Sequence, residues 1–112
     1  MDGTAMMLIL EIEPAPGREA ELLAFLAEAF PFYEDQGSRM SLWRDVADPD
    51  RWLEIALYAT HEEYEKVERL VRGDETTRQV LERWRSLLAA PPRVRALRRI
   101  AIAPATGKGP LA

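Results

Sequence analysis

The sequence predicts an α+β domain with a ferredoxin-like order of elements, β-α-β-β-α(α)-β, built on an antiparallel sheet. Two observations support this prediction. Segments that alternate between two kinds of residue, as strands do, are separated by segments whose apolar residues recur at helical spacing. In addition, the stretch from Asp48 to Thr60 reads without interruption as a turn, a strand and the start of a helix. Right-handed connections in such folds place the helices on one side of the sheet.

The strand that begins at Trp52 is central to this prediction. The preceding Asp48-Pro49-Asp50 is typical of a turn, because proline presets φ and aspartate side chains bond their own backbone. The strand has a wholly aliphatic face and a more varied face, which are respectively Leu53, Ile55 and Leu57, and Trp52, Glu54, Ala56 and Tyr58. We expect the aliphatic face to pack on the helices and the face with Glu54 to point away from them.

The predicted elements, in chain order, are a strand over 6–13, a helix over 18–30, two strands over 39–45 and 52–58 joined as a hairpin, helices over 61–72 and 75–89, and a strand over 93–103. Pro31 should end or kink the first helix. Thr60 and Glu63 fit a capping box for the second helix. Gly73 suits a left-handed residue after that helix, and Asp74 suits the N-cap of the third. The expected strand order is four, one, three, two.

Length and composition limit the classes of function. The 112 residues suit a single domain over 1–103, followed by a Gly/Pro/Lys-containing tail over 104–112 that we expect to be disordered. The absence of cysteine excludes disulfides, thiolate catalysis and cysteine-ligated metals. The single histidine, His61, cannot form a histidine metal cluster. We therefore expect neither a metal nor a cofactor.

Charge and hydropathy limit the partners of the protein and its location. The net charge of −4 argues against general nucleic-acid binding. The longest apolar run near the N-terminus, 5–10, is too short to span a membrane, and no basic residue precedes it to form a signal peptide. We expect a cytoplasmic protein that does not associate with membranes.

The sheet face opposite the helices predicts a homodimer. If Trp52 and Tyr58 point away from the helices, a monomer exposes them together with Met7 and Ile9 of the first strand. Exposed apolar patches of this kind mark interaction surfaces. A second copy, packed sheet against sheet, is the simplest cover for them.

The stretch from Gly37 to Arg99 resembles the dimeric α/β-barrel family that includes the antibiotic biosynthesis monooxygenases. Within that family it is most similar to the small domain at the C-terminal end of certain bacterial major-facilitator exporters. The matching pieces are Trp43 with Asp45, Asp48-Pro49-Asp50-Arg51-Trp52-x-Glu54, Thr60-x-x-Glu63, and Pro91-Pro92-Arg93-Val94. The resemblance implies a homodimer with a small cavity between sheet and helices.

The activities within this family differ, and the resemblance implies more than one function for this chain. Some members oxidise aromatic polyketides without a cofactor, some degrade haem, and others have no known activity. The exporter-type domains carry a Glu-His-x-x-x-His arrangement where this chain has Glu63-Tyr64 and Glu68, and the chain contains no asparagine. Haem ligation is therefore not expected. We expect a monooxygenase-like protein for a small aromatic or hydrophobic molecule, or else a non-catalytic dimerisation or ligand-sensing module.

Glu54 and His61 are the candidate catalytic residues. Burial among aromatic residues would raise the pKa of Glu54 into the range of a general base. The alternative for Glu54 is an ion pair with Arg44, Arg98 or Arg99. His61 lies in the first turn of a helix, where the helix dipole keeps imidazole neutral and usable as a base. The alternative interpretation of His61 is an exposed residue next to the helix cap with no catalytic role.

Four aromatic residues are candidate ligand contacts, namely Trp43, Trp52, Tyr58 and Tyr64. The alternative for them is packing in a dimer interface or in the core, and Trp84 is expected to be core. The arginines of the last strand are candidates for anion binding or for pairing with Glu11, Glu13 and Glu54. An RNA-recognition domain shares the order of elements, but the first strand has no aromatic residue on which a base would stack.

Overall fold

The computed structural model describes residues 5–103 and confirms the α+β, ferredoxin-like prediction. Its elements, in chain order, are β1 (Met6–Ile12), α1 (Glu19–Asp35), β2 (Ser38–Arg44), β3 (Trp52–Tyr58), α2 (His61–Gly73), α3 (Glu75–Ser86) and β4 (Arg93–Arg98). The four strands form one antiparallel sheet in the order β2-β3-β1-β4, as expected. The two central strands are therefore β1 and β3.

The register of the sheet shows which residues share a face. In antiparallel pairs, residues directly opposite each other lie on the same side of the sheet. Glu54 of β3 pairs with Leu10 of β1 and with Leu42 of β2. Leu10 and Leu42 pack against the core that includes Leu22 and Leu26 of α1. The face that carries Glu54 is therefore the one that packs on the helices.

The predicted orientation of β3 is wrong. The side chains of Trp52, Glu54, Ala56 and Tyr58 are buried beneath the helices, and each is at most 6% exposed. Leu53, Ile55 and Leu57 lie on the opposite, outer face, where Leu57 is 40% exposed. Alternation separates the two faces of a strand but does not say which one meets the helices. The prediction places the aliphatic side chains in the core because burying apolar surface is favourable. In the structure these side chains lie on the outer face of the sheet instead.

The core beneath the helices has two adjoining clusters. The first contains Leu22 and Leu26 of α1 and Trp84 of α3, packed on Ile12 and Trp52 of the sheet. The second contains Met6, Ala56, Tyr58 and Val67. Trp84 is thus a core residue as expected, and Leu22 and Leu26 of α1 pack in the same cluster.

Helix α1 continues through Pro31 to Asp35, so the predicted end of the helix near residue 30 is wrong, while a kink at Pro31 stays a prediction. A proline inside a helix removes one backbone hydrogen bond. The turn after it is held from outside the helix, since the Ser38 hydroxyl donates to the Tyr33 carbonyl over 2.8 Å. The backbone N–H of Gly37 donates to the Glu34 carbonyl over 3.0 Å, and Gly37 has a φ of 103° that favours glycine. Tertiary packing around Tyr33 thus outweighs the local preference.

The boundary between α2 and α3 is fixed by Asp74, whose predicted role as an N-cap is confirmed. Its carboxylate accepts from the Thr77 backbone N–H over 2.9 Å and from the Thr77 hydroxyl over 2.6 Å. Gly73 is the last residue of α2, and its φ is not positive, so the left-handed glycine predicted there is wrong. At the start of α2, the Thr60 hydroxyl accepts from the Glu63 N–H over 3.1 Å, which confirms one half of the predicted capping box. The Glu63 Oε2 atom is buried without a hydrogen-bond partner among the described residues, so the reciprocal half is not seen.

We predict that Asp74→Ala lowers the free energy of unfolding by about 1 kcal/mol, because the first turn of α3 loses its cap. Urea denaturation followed by circular dichroism measures this change. Thr76→Ala, an exposed substitution in the same turn, is the control and should change stability by less than about 0.5 kcal/mol. Equal losses for both variants would show that Asp74 contributes no cap.

The last strand is shorter than predicted. β4 ends at Arg98 instead of continuing to 103, and Ile100 and Ile102 are more than 80% exposed. The strand is also exposed along its whole length, because it forms an edge of the sheet. The predicted disordered tail over 104–112 lies outside the described residues.

Candidate functional site

A cavity of about 280 Å³ lies between the helix-facing side of the sheet and the three helices. Its lining is mainly apolar, and includes Leu8, Leu10, Phe25, Met40, Ala56, Val67 and Leu81. The polar or charged side chains in the lining are Tyr33, Glu54, Tyr58, Tyr64, Glu68, Trp84 and Arg85. An apolar cavity with a few convergent polar groups is the usual form of a small-molecule site.

Glu54 is the buried carboxyl group of this cavity. It is 6% exposed, and burial raises its pKa from 4.5 to about 7, while the nearby Trp84 indole acts in the opposite direction. Its Oε2 atom is buried without a hydrogen-bond partner among the described residues. Arg44, one proposed ion-pair partner, instead bonds Glu19 over 3.0 Å. Glu54 is therefore an acid–base group that changes charge near neutral pH.

Three tyrosines, Tyr33, Tyr58 and Tyr64, line the same cavity as this carboxyl group. Tyr58 and Tyr64 meet edge to face, with ring centroids 5.5 Å apart. Burial raises the pKa of Tyr58 to about 12 and also raises that of Tyr33, on which the nearby Glu54 has a further raising effect. Both phenols therefore stay protonated at neutral pH and remain hydrogen-bond donors to a ligand.

A second carboxyl group, Glu68, lies at the α2 side of the cavity in a contrasting environment. The guanidinium of Arg72 bonds it and lowers its pKa, and the Tyr64 hydroxyl donates to its Oε1 over 3.1 Å. Glu68 is therefore ionised at neutral pH and bonded to both Arg72 and Tyr64. Two carboxyl groups with opposite pKa shifts in one cavity are typical of acid–base sites.

The structure brings three of the six predicted site residues together. Glu54, Tyr58 and Tyr64 all line the cavity. Trp52 is buried in the core beside it, with the Arg44 guanidinium 5.4 Å from its ring centre. Trp43 is 58% exposed on the outer face. Trp52 and Trp43 are thus outside the described lining of this cavity.

His61 lies at the start of α2, as predicted, but is not among the residues that line the cavity. Its Nε2 atom is 2.8 Å from Glu65 Oε1, one helical turn along the surface of α2. Its ring centre is 6.0 Å from that of Tyr64. Geometry therefore favours Glu54 over His61 as the group that meets a ligand.

Sequence reasoning missed four polar or charged groups of the cavity lining, namely the exposed Arg85 and the three groups Tyr33, Glu68 and Trp84. The sequence predicts Trp84 only as a core residue, places Tyr33 beyond the predicted end of the first helix at residue 30, and uses Glu68 only to argue against haem ligation. Their convergence on Glu54 depends on which face of β3 meets the helices. The correct orientation of that strand would have pointed to all three.

Other binding features are limited in the described part of the chain. A second hollow, of about 570 Å³, lies at one end of the outer face, and none of its described lining residues is acidic. Between residues 5 and 103, no group of three histidine, aspartate or glutamate side chains is placed to hold a metal ion. No helix in that range is long and apolar enough to cross a membrane.

Comparison with known proteins gives matches of structure only. The sequence matches no protein-family model and no curated protein. A Bordetella bronchiseptica protein assigned as an antibiotic biosynthesis monooxygenase is 22% identical, with a TM-score of 0.69 over 88% of this chain and 99% of that one. A similarly assigned Nitrosomonas europaea protein is 10% identical, with a TM-score of 0.70 over 89% and 94%.

A third match is to SnoaB, a cofactor-independent oxygenase from Streptomyces nogalater. It is 16% identical to this chain, with a TM-score of 0.68 over 90% of this chain and 98% of that one. All three matches cover nearly the whole of the compared chains, so the likeness extends over the complete sheet and its helices. The chain therefore has the ferredoxin-like fold of the antibiotic biosynthesis monooxygenase-like proteins.

Proposed function

We propose that the chain binds a small hydroxylated aromatic molecule between sheet and helices and oxidises it without a cofactor, as a monooxygenase. The observation that carries this proposal is Glu54, a buried carboxyl group with an unpartnered oxygen in a mainly apolar cavity. Its pKa of about 7 suits a general base near neutral pH. The fold shared with a cofactor-independent oxygenase supports the same class of reaction.

The proposed reaction requires the protein to supply a proton acceptor and a binding site for the aromatic ring. The Glu54 carboxylate removes the proton from the hydroxyl group of the bound ring, which leaves an electron-rich aryl oxide. The aryl oxide supplies the electrons for attack on molecular oxygen at a ring carbon. For 1-naphthol, one oxygen atom forms the second carbonyl of 1,4-naphthoquinone and the other leaves as water. The apolar lining holds the ring in place and excludes water from the oxide.

The direct test is oxygen consumption with 1-naphthol as the probe, at pH 8, where Glu54 is ionised. Consumption of one oxygen molecule per quinone formed supports the proposal. Binding of 1-naphthol without turnover would instead favour the second candidate, a non-catalytic ligand-sensing module related to the exporter-appended domains. A protein that neither binds nor oxidises the probe would contradict both functions.

We further propose that the outer face of the sheet is covered by a second copy of the chain. The register places a central apolar surface there, formed by Met7, Ile9, Leu53, Ile55, Leu57 and Leu97. Charged residues flank it on the same face, namely Glu11, Arg39 and Arg95. Leu57 and Leu97 are 40% and 43% exposed, and Trp43, which pairs with Leu53 on the same face, is 58% exposed. The predicted interface was the face that carries Trp52 and Tyr58, but both residues are buried beneath the helices. We therefore propose the outer face as the homodimer interface instead.

We predict that Ile55→Glu shifts the protein from dimer to monomer, because it places a charge at the centre of this outer face. Light scattering at low micromolar concentration measures the mass in solution, and the chain mass is 12.8 kDa. Glu62→Lys, on the exposed side of α2, is the control and should leave the dimer intact. A wild-type protein that is monomeric under these conditions would contradict the proposed interface.

A further inference from the structure

A hollow rich in arginine lies at one end of the outer face, and we call it the basic hollow. It has a volume of about 570 Å³, and none of its described lining residues is acidic. A single register row of the sheet supplies its apolar floor, namely Met7, Leu57 and Leu97. Its basic residues are Arg39, Arg98 and Arg99. The hollow therefore suits an apolar group that carries negative charge.

Two of these arginines come from opposite edges of the sheet. Arg39 lies on the edge strand β2, and Arg99 directly follows the other edge strand, β4. Both are exposed, and neither takes part in an ion pair with any residue between 5 and 103. In a chain whose net charge is −4, the hollow is a local excess of positive charge. Guanidinium groups bind carboxylates well, so a partner rich in carboxylates is expected.

The turn between β2 and β3, residues 45–50, has the complementary composition. It contains no basic residue and three acidic ones, Asp45, Asp48 and Asp50. Val46 in this turn is 97% exposed. The Asp45 N–H donates to the Arg51 carbonyl over 2.9 Å, and the Asp45 carboxylate accepts from the Ala47 N–H over 2.8 Å. A turn that is held in shape before binding loses little conformational freedom when it docks.

The negative charge of the turn is only partly compensated. Arg51, which follows the turn, pairs with Glu11 over 2.8 Å and lies 3.6 Å from a carboxylate oxygen of Asp48. Neither Asp45 nor Asp50 forms an ion pair within the described part of the chain. The turn thus presents an apolar side chain beside carboxylates that lack a cation.

The turn and the basic hollow lie at opposite ends of the same face. Ile55 is the middle residue of β3 (Trp52–Tyr58). Ala59 in the hollow and Arg51 next to the turn are each four residues from it, which is roughly 13 Å along the strand. In a sheet-on-sheet dimer, a two-fold axis near Ile55 that crosses the strands therefore places the turn of each copy at the hollow of the other.

We propose that the β2–β3 turn of each copy docks in the basic hollow of the second copy, with Val46 against the apolar floor and the aspartates beside the arginines. This inference rests on the homodimer proposed above and adds the contact that sets its orientation. An axis along the strands would instead place the two basic hollows against each other, and like charges brought together across an interface are unfavourable. Opposite charges at the two ends of the face thus select one orientation.

The test reverses the charge of each site in a separate variant. The hollow variant carries Arg39→Glu and Arg99→Glu. The turn variant carries Ala47→Lys, Asp48→Asn and Asp50→Lys. Asparagine keeps the side-chain acceptor that Asp48 offers to the Asp50 N–H, and all of the substituted residues are exposed. Sedimentation equilibrium measures the dimer Kd of each protein and of an equimolar mixture of the two variants.

Each variant alone should raise the dimer Kd at least about tenfold, because both symmetric contacts then bring like charges together. The Kd of the mixed dimer should return to within about threefold of the wild-type value, because it joins one wild-type contact to one contact in which both charges are reversed. A change in the folding of either single chain cannot produce this recovery.

The controls are Glu62→Lys and Lys66→Glu, charge reversals at exposed positions of α2, and each should leave the dimer Kd within about twofold of the wild-type value. A mixture that associates as weakly as the separate variants would overturn the docking of the turn in the hollow. Variants that dimerise like wild type would overturn it as well. Monomeric wild-type protein would contradict the homodimer itself, so the two failures are distinguishable.

Discussion

Glu54→Gln is expected to lower the rate of oxygen consumption with 1-naphthol at least about 100-fold. The amide is close in shape to the carboxylate but cannot accept the proton of the hydroxyl group, and a positioned general base contributes roughly 100- to 10,000-fold to a reaction rate. Glu54 is the carboxyl group in the lining whose pKa is raised into the neutral range. Another described lining carboxyl group, Glu68, is held by Arg72 and Tyr64.

The control for this substitution is Glu82→Gln, which removes an exposed carboxylate from α3. Its rate should remain within about twofold of the wild-type rate. Binding of 1-methylnaphthalene should survive in Glu54→Gln, because that probe uses only the apolar lining. A Glu54→Gln variant that oxidises 1-naphthol at the wild-type rate would remove Glu54 from the mechanism.

The stability of the wild-type protein should fall as the pH rises from about 4.5 to about 7, as a result of Glu54. The folded state binds the Glu54 proton more tightly than the unfolded state, so the stabilisation is complete below pH 4.5 and is lost through the folded pKa. A shift from 4.5 to about 7 corresponds to about 3 kcal/mol at most. Glu54→Gln lacks this dependence and should become the more stable protein above pH 7.

Urea denaturation of both proteins at several pH values between 4 and 9 measures this difference. The tyrosines and the second carboxyl group that line the cavity have pKa values shifted away from the range between 4.5 and about 7 in which Glu54 acts. The pKa values of Tyr33, Tyr58 and Tyr64 are raised and that of Glu68 is lowered, while the α3 side contributes Arg85. The parts of β1, β2 and β4 that line the cavity are apolar. A constant difference between wild type and variant across this range would contradict an elevated pKa at Glu54.

The order of elements was predictable because it depends on local patterns, and the strand order followed from the ferredoxin-like topology that this order of elements implies. Alternation defined β3, turn chemistry placed its start after Asp50, and hydroxyl and carboxylate caps at Thr60 and Asp74 placed the starts of α2 and α3. Two local predictions were wrong for a different reason, namely the end of α1 near Pro31 and the left-handed conformation of Gly73. In α1, packing around Tyr33 overrides a local preference, and Asp74 serves as the cap on both sides of the α2–α3 boundary.

The candidate site was predictable only in part. A lone glutamate among aromatic residues on a strand drew attention to Glu54, and the structure places it in the cavity with Tyr58 and Tyr64. The side of the sheet on which they lie was predicted wrongly, because residues 53, 55 and 57 are more aliphatic than the face that is buried. Trp84 shows a further limit, since helical spacing identifies a buried ring but not an unpartnered N–H.

The most direct test of the account is a carbon-13 NMR titration of the Glu54 side-chain carboxyl group in the wild-type protein, with Glu54→Gln used for assignment. The account predicts a titration midpoint near pH 7, with the carboxyl group still protonated at pH 5. That result would establish a buried group able to take a proton from a ligand at neutral pH. A midpoint near the ordinary value of 4.5 would contradict the account, because Glu54 would then be a solvated carboxylate.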